Sequence, residues 1–178
     1  MSGPSSPTLI LVTGPAGSGK TTLAHELAGV VGCPVVSRDE IKEGMVASHR
    51  AFVAEQGDPL TLRTYGLFFE VIELLLIRGV TLVAEAAFQH ALWWRRLEPL
   101  TGVADLKVVR CQVPEAVARQ RMLTRMVAQS TRAAHADADH LATAGSFRQL
   151  TINGPTLDVD TADGWRPDLA DIVAFCRP

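Results

Sequence analysis

Residues 14–21 read Gly14-Pro15-Ala16-Gly17-Ser18-Gly19-Lys20-Thr21, an instance of G-x-x-x-x-G-K-[ST], and this stretch decides the fold. An apolar run at 9–13 precedes it with the character of a buried strand, and a helical pattern at 19–31 follows it. Glycines at 14, 17 and 19 let successive backbone N–H groups curl around an anion with no Cβ in the way, and the start of the helix adds its positive dipole end. In that frame Lys20 reaches the β- and γ-phosphates of a nucleoside triphosphate as a point charge, and the Thr21 hydroxyl is a ligand for Mg2+. Chance alone produces such a string in fewer than about one per cent of chains this long, and the strand and helix flanks lower that further. A dinucleotide-binding turn is the main rival, because Asp39 lies about twenty residues downstream, where a ribose-binding acid belongs. The glycine order does not spell G-x-G-x-x-G, and Lys-Thr suits a triphosphate, so that rival is set aside.

Working outward, Gly32 and Pro34 close the first helix, and 34–37 forms a second short strand ending at the polar cluster Arg38, Asp39, Glu40. A mixed helical region covers 41–54, breakers sit at 57–59, and a helix at 60–78 ends at its natural cap, Gly79. The continuous apolar run 80–84 is a third buried strand, followed by Glu85 and a helix at 91–100. A strand at 106–113 leads through Pro114 into a long helix from 115 to about 129. Residues 130–146 read as a mobile helix or flap, and 156–159 and 168–175 are the last strand and helix. Strands alternating with helices imply right-handed crossovers and an α/β fold, a three-layer α/β/α sandwich around a parallel sheet. Ligands in such sheets sit beyond the strands' carboxyl ends.

The chain has 178 residues, which predicts one unit over 1–178 with a lid at about 125–146. A net charge of −2 disfavours a protein that grips long nucleic acid through counterion release. Cys33, Cys111 and Cys176 are far apart and show no CxxC spacing, so they read as reduced thiols rather than a disulfide or zinc framework. The first residues lack the basic region of a signal peptide, and the apolar stretch 71–88 is broken by Glu73, Arg78 and Glu85. These features predict a cytoplasmic protein that does not enter membranes; they do not choose between monomer and homodimer.

Asp39 and Glu85 follow the second and third strands, so a parallel sheet brings both to its carboxyl edge. Phosphoryl transfer needs one carboxylate to orient or deprotonate the acceptor hydroxyl and another to hold the Mg2+ shell. Asp39 is assigned the first role, with a helix N-cap for the following turn as the competing reading, and Glu85 the metal shell or a substrate contact, with a solvated loop acid as its competitor. Arg121 and Arg125 share a helix face at i, i+4, and Arg132 follows, a pattern that suits phosphate contacts from a closing lid, against solvated helix charges as the alternative. His135, Asp137, Asp139 and His140 fall in alanine-rich sequence and read as flap rather than metal cluster.

The chain resembles the small P-loop kinases of the AAA_33 or zeta-toxin-like group, relatives of gluconate kinase and chloramphenicol phosphotransferase. The resemblance rests on LILVTGPAGSGKTTLA at 9–24, VVSRDEIKEGM at 35–45, LVAEAAF at 82–88, Arg121 with Arg125, and TLDVDT at 156–161. It spans nearly the whole chain, with the P-loop as its most specific part. It implies a P-loop NTPase fold with strand order 2-3-1-4-5, a lid, and an acid at the position of Asp39 facing the acceptor. It also implies ATP and Mg2+ as cofactors. The implied nucleotide contacts are Gly14, Pro15, Ala16, Gly17, Ser18, Gly19, Lys20, Thr21, Thr22, Arg121 and Arg125, with Lys20, Asp39 and Arg125 catalytic. Asp39, Lys42, Arg63, Glu85 and Arg132 are assigned to the acceptor, Thr21 and Glu85 to the metal. Residues 45–64, with His49, Arg50, Arg63 and Tyr65, are placed at the acceptor pocket. Glu85 stands where many relatives carry Asp, and 127–140 lacks their dense basic run. The expected activity is transfer of the γ-phosphoryl group of ATP to a hydroxyl of a small molecule. A polynucleotide 5′-kinase is disfavoured by the net charge and an aromatic content of 6%. A nucleotide-binding regulatory module is the other alternative, although no NKxD guanine signature occurs.

Overall fold

Strand β1 (Thr8–Thr13) is buried at every position, the mark of a central parallel strand covered on both faces. The computed structural model describes residues 6–49, 52, 58–88, 91–128, 151 and 154–177, with the side chains of 91, 92 and 126–128 excepted. Around β1 lie β2 (Val35–Ser37), β3 (Leu82–Glu85), β4 (Asp105–Gln112) and β5 (Thr156–Asp160), all parallel, in the order β2-β3-β1-β4-β5. This is the expected order of a P-loop NTPase fold. The helices are α1 (Lys20–Val31), α2 (Arg38–Ala47), α3 (Pro59–Ile77), α4 (Ala91–Leu97), α5 (Glu115–Ala128) and α6 (Leu169–Cys176), with a 3-10 turn at Glu98–Gly102 after α4.

Alternation along the strands sorts the core into two layers. Leu9, Leu11, Leu82 and Ala84 face Phe68, Phe69, Ile72 and Leu76 of α3. Ile10, Val12, Val83 and Val109 face Leu23 and Leu27 of α1 and Ile172 and Val173 of α6. The same alternation puts Glu85, two residues after Val83, on the α1 side of the sheet.

Helix ends follow local chemistry. Asp58 caps α3 by accepting from the Thr61 N–H at 2.8 Å, and Pro59 begins the helix where no N–H is needed. At the other end Gly79, at φ 76°, lets the Gly79 and Val80 N–H groups bond to Leu76 and Leu75 carbonyls. The helix predicted at 41–54 instead runs from Arg38 to Ala47, because Ser37 rather than Asp39 caps it. The cap Ser37 is extended, and its Oγ accepts from the Glu40 N–H, which leaves Asp39 in the first turn, where a negative charge suits the helix dipole. The flap expected at 130–146 lies outside the described residues. Among the described residues no helix is long and apolar enough to cross a membrane, and all three cysteines are unbridged.

Candidate functional site

The GPAGSGKT loop joins β1 to α1 and is packed from beneath. Gly17 has φ 78°, and a Cβ there would meet the Ala118 carbonyl oxygen of α5 at 2.3 Å. At Gly14 a Cβ would fall 2.7 Å from the Cys111 carbonyl oxygen. Both positions therefore require glycine for space, and Gly17 for backbone conformation as well. Thr161, buried just beyond β5, fastens the loop by donating to the Ser18 carbonyl at 2.7 Å. The loop is thus held open by the fold with its outer face toward the carboxyl edge. Cys111 lies below it, and burial pushes its thiol up to about 12, so it is protonated and no nucleophile.

Lys20 begins α1 and directs its ammonium at Glu85, with Nζ 3.8 Å from Oε1. That separation is an ion pair without a hydrogen bond. Glu85 is the last residue of β3 rather than a loop acid, and only 1% of it is exposed. Its Oε2 accepts from Ser37 Oγ at 2.6 Å, while Oε1 is buried without a hydrogen-bond partner among the described residues. Burial raises the Glu85 carboxyl above its ordinary value, Lys20 opposes the shift, and the nearby negative charge of Asp39 adds to it. Asp39, in the first turn of α2, is therefore close enough for its charge to act on Glu85 at the end of β3.

The raised value fixes a sign for stability. A carboxyl that binds its proton more tightly when folded contributes stability below its unfolded value and loses it as pH rises through the folded value. Glu85→Gln should therefore gain melting temperature relative to wild type as pH rises from about 4.5, the ordinary glutamate value. Thermal scans from pH 4 to 8 check this, and a melting difference that is flat or shrinks with pH would contradict it.

The remaining predicted residues separate into groups. Arg121, half-buried on α5, donates through Nη2 to the carbonyls of Thr161 and Ala162 at 2.7 and 2.9 Å. Its Nη1 lies 3.7 Å from where a Cβ on Gly19 would be, so it stands against the loop. Arg125 follows one turn later on the same helix. Arg63 is exposed on α3, His49 is exposed beyond the end of α2, and Arg132 and Arg50 lie outside the described residues. Lys42 is buried, and its ammonium is 2.7 Å from Asp58 Oδ2 and 2.8 Å from Thr61 Oγ1. It joins α2 to α3. Two residues the sequence reading passed over are Ser37 and Thr161. The capping pattern S-x-x-E at Ser37 and Glu40 was the available signal for the first; no local signal marks the second, whose partners are distant in sequence.

A parallel sheet in this order, with a phosphate-type loop after its central strand, defines the class of P-loop NTPase folds. Within it the chain belongs to the AAA_33 family, an AAA domain whose family model matches residues 9–150. A candidate kinase from Chloroflexus aurantiacus J-10-fl has a similar structure, with a TM-score of 0.83, 26% identity and 96% of each chain covered. Kti12 of Chaetomium thermophilum, solved with ADP-AlF3, superposes with a TM-score of 0.70 at 13% identity, over 96% of this chain and 100% of that one. The APS kinase CysC of Mycobacterium tuberculosis, solved with AMPPNP and APS, gives 0.59 at 18% identity, over 87% and 90%. No curated protein sequence matches the chain significantly.

Proposed function

We propose that this chain is an ATP-dependent phosphotransferase that moves the γ-phosphoryl group of Mg·ATP to a hydroxyl of a small-molecule acceptor. The observation that carries the reading is Glu85 Oε1, a buried carboxylate oxygen without a hydrogen-bond partner among the described residues, facing Lys20 at 3.8 Å at the mouth of the loop. An unsatisfied buried carboxylate oxygen calls for an explanation beyond the fold, and a bound cation supplies one. The likeness to the candidate kinase from Chloroflexus supports the same reading.

The donors fit a hard divalent cation, since the Thr21 hydroxyl and the Glu85 carboxylate offer oxygen, directly or through water. Mg2+ bound there supplies neutralisation of the phosphate charge. Backbone N–H groups of the loop, to which Pro15 contributes none, would cradle the phosphates, and Lys20 balances the charge that spreads onto the γ-phosphoryl oxygens. Asp39 orients the acceptor hydroxyl and takes its proton while the new oxygen–phosphorus bond forms and the bond to the β-phosphate's bridging oxygen breaks. Arg121 stands against the loop from α5 with Arg125 one turn further along the helix, both suited to phosphate oxygens, and Arg132 is assigned to a lid. Water exclusion on closing favours transfer over hydrolysis.

ADP release from Mg·ATP, measured alone and against sugars, nucleosides, aminoglycosides and other hydroxylated antibiotics, tests the proposal. One acceptor should raise the rate well above background in wild type and not in Lys20→Ala. A low rate with every acceptor, despite measurable nucleotide binding, would favour the second reading, a nucleotide-binding regulatory module. Asp39→Asn should lower transfer by about 10²–10⁴-fold while leaving Mg·ATP affinity near wild type. Normal turnover in Asp39→Asn would remove Asp39 from the mechanism.

A further inference from the structure

We infer that Ser37 is a positioning residue for this reaction: its buried hydroxyl, which also caps the helix that carries Asp39, orients the Glu85 carboxylate on the nucleotide side. The inference rests on the roles proposed for Glu85 and Asp39.

Ser37 ends β2 in direct register with Glu85 on β3, so their side chains leave the same face of the sheet side by side. Ser37 is 2% exposed, and its Oγ lies 2.6 Å from Glu85 Oε2 and 3.5 Å from the Glu40 backbone nitrogen. A hydroxyl has one proton and two lone pairs. The proton goes to the carboxylate, and a lone pair accepts the Glu40 N–H. With Oε2 held, the carboxylate cannot turn, and Oε1 stays directed at Lys20. Without the hydroxyl, Oε2 becomes a second unsatisfied buried oxygen and the carboxylate is free to rotate toward other donors. Helix α2 has an anchor of its own, because the Glu40 side chain meets His25 Nε2 of α1 at 2.6 Å. Removal of the Ser37 hydroxyl should therefore disturb the carboxylate more than the helix. Partners of this kind, one bond removed from a metal ligand, typically change metal affinity by about 10–100-fold when lost.

The test uses Mn2+ as a paramagnetic substitute, its affinity measured by electron paramagnetic resonance with a non-hydrolysable ATP analogue present. Ser37→Ala and Ser37→Gly should weaken Mn2+ binding by about tenfold or more. Ser37→Thr, which keeps the hydroxyl, should stay close to wild type. Glycine is included because it caps a helix nearly as well as serine, which separates the cap from the hydroxyl. If Ser37→Ala and Ser37→Gly bind Mn2+ like wild type while Glu85→Gln binds it weakly, Ser37 has no positioning role and the assignment of Glu85 stands. If Glu85→Gln also binds like wild type, the metal-side reading of Glu85 falls and this inference with it. Failure of both the alanine and glycine variants to fold would make Ser37 a fold residue and likewise overturn the proposal.

Discussion

Lys20→Ala should reduce phosphoryl transfer by about 10³-fold, or about 4 kcal/mol of transition-state stabilisation. The size follows from position. The Lys20 side chain is 12% exposed, so its charge acts in a partly desolvated site, where it is worth more than in water. It also has a partner in the resting protein, Glu85 at 3.8 Å, a contact too long to hold the ammonium tightly. The charge is therefore available to the phosphates without a strong bond to break first. A second consequence does not depend on turnover. Lys20 is the main influence opposing the rise of the Glu85 carboxyl, so its removal leaves a buried acid more reluctant to ionise and a protein less stable at neutral pH. Adding Glu85→Gln to Lys20→Ala should return part of that stability and none of the activity. Full transfer by Lys20→Ala would remove Lys20 from the mechanism. A double variant no more stable than Lys20→Ala would show that the two groups are not electrostatically coupled.

Features made of short-range pattern were legible before any coordinates. The loop, its flanking strand and helix, the order of elements and the placement of Asp39 and Glu85 at strand ends all follow from local periodicity and from the rule that parallel strands share an edge. What could not be read is which polar groups find each other across the fold. Lys42 stands in a segment that looks acceptor-facing, and only the approach of α2 to α3 shows that Asp58 claims it. Glu85 could be a solvated loop acid on sequence alone; its burial depends on β1, β2 and α1 closing around the end of β3. Thr161 reaches the loop across 143 residues of sequence, a pairing no window contains. The start of α2 was misplaced for a smaller reason. Both Ser37 and Asp39 are good caps, and the choice fell to Ser37 because it is the last extended residue of β2.

Lys42→Met should destabilise the fold by about 3–5 kcal/mol, a large share of the stability of a domain this size, and lower its melting temperature by roughly 10 °C. Methionine keeps most of the volume, so the loss is electrostatic: Asp58 would remain buried with its counter-charge gone. Burial pushes the Asp58 carboxyl up, but the bonds from Lys42 and Thr61 outweigh it and hold the group below its usual range. A lowered carboxyl contributes stability above its unfolded value and loses it as pH falls through the folded value. Wild type should therefore lead the variant by the full margin at neutral pH, and the margin should narrow on acidification as Asp58 in the variant takes up a proton. Lys42→Met combined with Asp58→Asn should recover most of the loss, since asparagine still caps α3 and leaves no charge behind. Thermal scans of the three proteins between pH 3.5 and 7.5 decide the matter together with the acceptor KM. A Lys42→Met protein that melts like wild type but has lost acceptor affinity would return Lys42 to the acceptor site and remove it from the link between α2 and α3.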